Sequence, residues 1–112
     1  EAIAEDGTTP SLNHAVVEVR SFFKIQEKRS GISIFEKRYG RWIDSKPTLY
    51  VEMSSEFEDS TRDYRSQIAE GFYRFWKLRA KNNGLGGKAA LVLLGVNSEV
   101  IGGNKGTDVW VK

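Results

Sequence analysis

Eight residues, "FEKRYGRW" from Phe35 to Trp42, set three aromatic rings among four charged side chains. Rings offer flat faces for stacking, and Lys or Arg heads pair with anions. Single-stranded nucleic acid presents both partners, since every base has a π-face and every linkage a phosphate. Stacking a base on an aromatic side chain is worth about 1–3 kcal/mol. Phe22, Phe35, Tyr39 and Tyr50 are the stacking candidates; Lys24, Lys37, Arg38 and Arg41 are the candidate phosphate contacts, with Trp42 as a further ring beside them. On an open surface the same residues would also serve a protein partner or a second copy of the chain. Beneath a helix they would simply be core.

Composition narrows the other chemistries. The 112 residues, 39% hydrophobic and 29% charged, suit one soluble globular domain with a modest core. Cysteine is absent, which removes disulfides and thiolate metal sites and fits a reducing, intracellular compartment. His14 is the only histidine, so a multi-histidine metal centre or a Ser-His or Cys-His nucleophile is nearly excluded. Its expected place is the surface. No apolar run approaches the roughly 18–20 residues that span a bilayer, so no membrane partner is expected. No cofactor is implied; a carboxylate-held magnesium ion is the metal chemistry left open.

Charge is uneven along the chain. From Arg20 to Lys46 there are eight Lys or Arg against Glu27, Glu36 and Asp44, whereas Glu52 to Asp63 holds five acids and only Arg62. The pattern implies either a polarised surface or an ordinary mixed, solvated one.

Periodicity indicates the scaffold that carries these residues. Residues 1–11, "EAIAEDGTTPS", read as a flexible arm ahead of a single α+β domain spanning 12–112. From Asn13 to Lys28 the alternation of Val17, Val19, Phe23 and Ile25 with charged residues favours a strand, with a helix as rival through Leu12, Val16, Val19 and Phe23. Ile32–Tyr39 and "TLYVEMS" alternate as two more strands of an antiparallel meander, broken at Gly40 and at "DSKP".

One long amphipathic helix comes next, capped by Ser60 with Asp63 and stopped at Asn82–Gly84. Tyr64, Ile68, Gly71, Phe75 and Leu78 form its expected stripe, widened by Phe72 and Trp76. "KAALVLLGV" reads as a central strand covered on both faces, 97–106 as a turn-rich excursion, and "TDVWV" as a last strand. In the expected pleat, Ile32 and Ile34 face the core with Leu49, Val51 and Met53. That sends Phe35, Lys37 and Tyr39 outward, with Phe22 and Lys24 on the first strand and Tyr50 on the third.

A meander with "GRW" after a basic strand, then an amphipathic helix, resembles the strand-rich unit of Pur-type and Whirly-type single-strand binders over about residues 15–80. That resemblance implies nucleic acid held on the sheet by Phe22, Lys24, Lys37, Tyr39 and Arg41. "WIDSKPTLYVEMS", a helix and "ALVLLGV" are also similar to the PD-(D/E)xK nuclease core, which implies magnesium between Asp44 and Glu52. Ser54 stands where that family has lysine, and no proline precedes Asp44.

"GLGGK" resembles a phosphate loop but precedes a strand pattern, so a helix stop and turn is the expected reading. Arg65 and Arg79 flank the helix's apolar stripe, where their heads can reach water or a carboxylate. The chain reads as a binding domain. Its favoured partner is single-stranded nucleic acid, and the alternative is a protein-interaction or accessory subunit.

Overall fold

Residues 13–28, expected as a strand, lie in a helix. In the computed structural model, which describes all 112 residues, α1 runs Pro10–Ser30. The Thr9 hydroxyl accepts a hydrogen bond from the Leu12 amide at 3.2 Å, Pro10 occupies the first turn, and Gly31 ends the helix in the left-handed conformation at φ 72°. Leu12, Ala15, Val16, Val19 and Phe23 recur at helical spacing and are all buried. Val17 and Ile25, which produced the period-two pattern, are 55% and 53% exposed. The helical stripe prevails because it is the one that finds a surface to bury against.

The Glu27 carboxylate ties α1 to the start of the sheet, accepting from the amides of Ile34 at 2.5 Å and Phe35 at 3.2 Å. Then come β1 (Phe35–Ile43), β2 (Lys46–Met53), α2 (Ser55–Glu58), α3 (Arg62–Asn82), β3 (Ala90–Leu94), β4 (Val100–Lys105) and β5 (Asp108–Val111). The expected meander is therefore shorter by one strand, and the arrangement is α+β. The strands form one mixed five-stranded sheet in sequence order. All pairs are antiparallel except β2–β3, which are parallel and joined through α3.

Both long helices lie against one face. Leu49, Val51, Met53, Leu91 and Leu93 form the sheet side of the core, and Val19, Phe23, Phe72 and Trp76 the helix side. Phe23 and Phe72 stack at 3.8 Å, binding α1 to α3, and the Trp76 indole donates to the Pro47 carbonyl at 3.2 Å. Gly40 is the close approach of α1 to the sheet: a Cβ there would stand 2.8 Å from Val16 Cγ2. Ahead of α1, the Gly7 carbonyl accepts from the Trp42 amide at 2.7 Å, so this segment runs beside the edge strand β1.

Four further expectations change. Thr61, not Ser60, caps α3, accepting from the Tyr64 amide at 3.2 Å. The buried face of α3 is Ala69, Phe72, Tyr73, Trp76 and Ala80, rotated from the expected stripe so that Leu78 is 48% exposed. The rotation follows from where the surfaces are, with the sheet beneath Trp76 and α1 beside Phe72. Residues 100–105 form a strand despite Gly102 and Gly103, because those glycines let β4 approach its neighbours. A Cβ on Gly102 would lie 2.9 Å from the Trp110 carbonyl, and one on Gly103 would clash with the Leu91 carbonyl. β3 is central as expected, but helices cover only one of its faces: Leu91 and Leu93 are buried, while Ala90, Val92 and Leu94 are half-buried. No helix is long and apolar enough to cross a membrane.

Candidate functional site

Because α1 and α3 share one face, the other face of the sheet has no helix over it. Register places its residues in rows. Tyr39 pairs with Tyr50, Tyr50 with Val92, Val92 with Gly103, and Gly103 with Trp110, so these five share the open face across all five strands. Lys37, Glu52, Leu94 and Val100 form the row on one side; Arg41, Thr48 and Ala90 form the row on the other.

The middle row has a definite geometry. Tyr39 and Tyr50 stack at 5.1 Å with their planes 10° apart. The Arg41 guanidinium lies 4.9 Å from the Tyr39 ring centre and donates to the Gly40 carbonyl at 2.6 Å, which holds the cation against that ring. Tyr50 has a ring neighbour on its Tyr39 side only. Beyond it lie half-buried Val92 and buried Gly103, then Trp110, 40% exposed. At about 4.8 Å per strand, Tyr50 and Trp110 stand roughly 14 Å apart across this low floor. The row thus has aromatic residues on β1, β2 and β5, with only Val92 and Gly103 between Tyr50 and Trp110. Lys37, Lys46, Lys105 and Lys88 are exposed on strands or turns around it.

The nine candidate residues divide. Lys37, Tyr39, Arg41 and Tyr50 lie together on the open face. Phe35 does not: a bulge between Phe35 and Lys37 shifts the pleat, and Phe35 is 1% exposed, edge-on to Phe72 at 5.7 Å. Expecting Phe35 outward was wrong for that reason alone. Phe22 and Lys24 belong to α1, far from the strand position expected of them. Phe22 stacks on Phe75 at 4.3 Å; Lys24 pairs with Glu27 at 3.1 Å and lies 4.9 Å from the Phe35 ring centre. Arg38 and Trp42 alternate with Gly40 on the helix side of β1. Trp42 donates its indole N–H to the Thr9 hydroxyl at 3.2 Å. Arg38 is half-buried, and burial first, then the nearby Arg20 charge, lowers its pKa.

Trp110, Val92 and Gly103 were missed as site residues. The alternation in "TDVWV" sets Trp110 opposite Val109 and Val111, a signal that could have found it; Gly103 could not be placed without seeing β4 as a strand.

Asp44 sits in the β1–β2 turn at φ 51°, and Glu52 lies near the far end of β2. At about 3.3 Å per residue, some 20 Å of strand separates them. That pair is not brought together to share a metal ion, and no group of three or more His, Asp or Glu stands close enough to hold one.

Compared with protein-family models, curated proteins and solved structures, the chain has no match. The functional reading therefore rests on the geometry of the open face.

Proposed function

We propose that this domain binds single-stranded nucleic acid on the open face of its sheet. The single observation that carries the reading is the row Tyr39–Tyr50–Val92–Gly103–Trp110, with Arg41 seated on its first ring. Bases enter between Tyr50 and Trp110, stacking on the free face of Tyr50 above Val92 and Gly103. Lys37 and Arg41, one strand away and on either side of Tyr39, meet phosphates. A duplex hides its base faces, so the row suits an unpaired strand.

The same face supports a second reading. Leu94 and Val100, 47% exposed, make its Lys37 end partly apolar, which suits a protein partner or another copy of this chain. Salt separates the two. Single-strand affinity falls steeply from low to physiological salt, whereas an apolar protein contact holds. Oligonucleotide titration at two salt concentrations, alongside sedimentation of the free protein, is the test. Salt-sensitive binding by a monomer supports the nucleic-acid reading. A salt-insensitive dimer with no affinity for oligonucleotides overturns it.

A further inference from the structure

A second feature lies at the end of the sheet where parallel β2 and β3 both begin. Lys46 opens β2, Lys88 precedes β3, and Lys77 projects from α3; all three line one cavity of about 400 Å³. No Asp or Glu lines it. None of the three lysines is within ion-pair distance of a carboxylate anywhere in the molecule. Three lysines from separate stretches of the chain thus line one cavity with no carboxylate in its walls, and Lys77 Nζ lies 6.0 Å from the Tyr73 ring centre, a lining that favours an anion.

The walls are fixed in advance. Asn104 accepts from the Leu91 amide at 2.7 Å and donates to the Gly106 carbonyl at 2.9 Å; the Tyr73 hydroxyl donates to that same carbonyl at 3.2 Å. Gly87 and Lys88, the end of "GLGGK", stand on its rim with Ala89 beside them, and the amides of Gly87 and Lys88 donate to no backbone carbonyl. At Gly87 a Cβ would meet nothing within 4 Å, so the backbone there is bare toward the cavity mouth. No helix N-terminus is involved, which separates this site from a nucleotide-binding phosphate loop.

We propose that the Lys46–Lys77–Lys88 basin is a phosphate-binding site, taking a phosphate monoester or pyrophosphate group through the three ammonium heads and the rim amides of Gly87 and Lys88. The volume is in the range of small-ligand sites, so the phosphate can bring a nucleoside or sugar with it. Lys46 and Lys88 also border the open face, but none of the residues assigned there to stacking or to phosphate contact lines this cavity, so the proposal does not depend on that reading.

The test is ¹⁵N NMR titration of the full chain with inorganic pyrophosphate, AMP, adenosine, and an oligothymidylate with and without a 5′-phosphate. Pyrophosphate and AMP should shift the Gly87 and Lys88 amides, and adenosine should not. The two oligonucleotides separate sources: a terminal monoester requires the 5′-phosphate, whereas a chain phosphodiester does not. K46Q/K77Q/K88Q should lose about tenfold or more in pyrophosphate affinity, as loss of charge-assisted hydrogen bonds implies. Y39A/Y50A should bind pyrophosphate like the parent. Since the three lysines are exposed, the triple variant should fold, as its spectrum would verify. Failure of millimolar pyrophosphate to move the rim amides would overturn the proposal. So would equal affinity in the triple variant, or shifts from adenosine equal to those from AMP.

Discussion

Tyr39 and Tyr50 face each other across the β1–β2 ladder, stacked at 5.1 Å, on the side of the sheet away from both long helices. Their partnership is a consequence of register. The bulge at Glu36 returns Phe35 to the core while keeping Lys37, Tyr39 and Arg41 outward, so one irregular residue separates a core ring from a surface ring. Everything proposed for the open face depends on that separation.

Trp110 should report on occupancy of the open face. Trp76 is fully buried and Trp42 is held against Thr9, leaving Trp110 as the tryptophan on the open face. Oligonucleotide should quench the intrinsic fluorescence, and Trp110→Phe should remove most of that response. A quench that persists in W110F would place the ligand elsewhere.

Lys37 and Arg41 should set part of the salt dependence. For single strands each neutralised phosphate contributes about 0.7 to the slope of log affinity against log salt, so K37Q/R41Q should flatten it by roughly 1.4. The check is the slope itself, measured over a range of salt, and an unchanged slope counts against phosphate contacts at these two positions.

Gly40 should be a stability position rather than a binding one. A methyl group there meets Val16 at 2.8 Å and Leu12 at 3.1 Å, so α1 must lift from β1. Gly40→Ala should destabilise the fold by about 1–3 kcal/mol, as overpacking of a tight contact does. Chemical denaturation would measure it, and Gly31→Ala provides a contrast, since its cost is the positive φ of 72° and not a clash.

Glu18 should give the fold some acid sensitivity. Its carboxylate accepts from Asn83 Nδ2 at 2.7 Å and Arg79 at 2.8 Å, tying α1 to the end of α3, with His14 facing it at 3.5 Å. The Asn83 hydrogen bond first, then Arg79, holds its pKa below the usual carboxylate value. A lowered folded-state pKa contributes stability that is fully present above the unfolded pKa and is lost as pH falls through the folded one. Unfolding free energy should therefore drop on acidification below the ordinary glutamate range, and Glu18→Gln should blunt that limb while costing about 0.5–1 kcal/mol near neutrality. Denaturation curves of both proteins across that pH range decide it.

The fold class was legible because its strongest signals are local: the Asn82–Gly84 stop of α3, the apolar run of β3 and the alternation of β2. The error over residues 13–28 arose where two periods coincide. Val19 and Phe23 satisfy both, and the deciding start signal, Thr9–Pro10, falls in the stretch read as an arm. That one misreading moved Phe22 and Lys24 from sheet to helix. Phe35 was lost to a bulge, which alternation cannot reveal because a single extra residue reverses every later side chain. Tyr39, Tyr50, Lys37 and Arg41 lie beyond the bulge, and their shared face follows from the hairpin. Trp110 joined them only through β4, whose glycines hid it as a strand.

The most direct test is anisotropy of a labelled single-stranded oligonucleotide titrated with the parent chain and with Y39A/Y50A, at low and at physiological salt. The parent should bind, weaken with salt, and lose at least about tenfold in affinity when both rings are removed, the scale of one to two lost base stacks. No binding at low salt, or equal affinity in a folded Y39A/Y50A, would contradict a nucleic-acid site on this face.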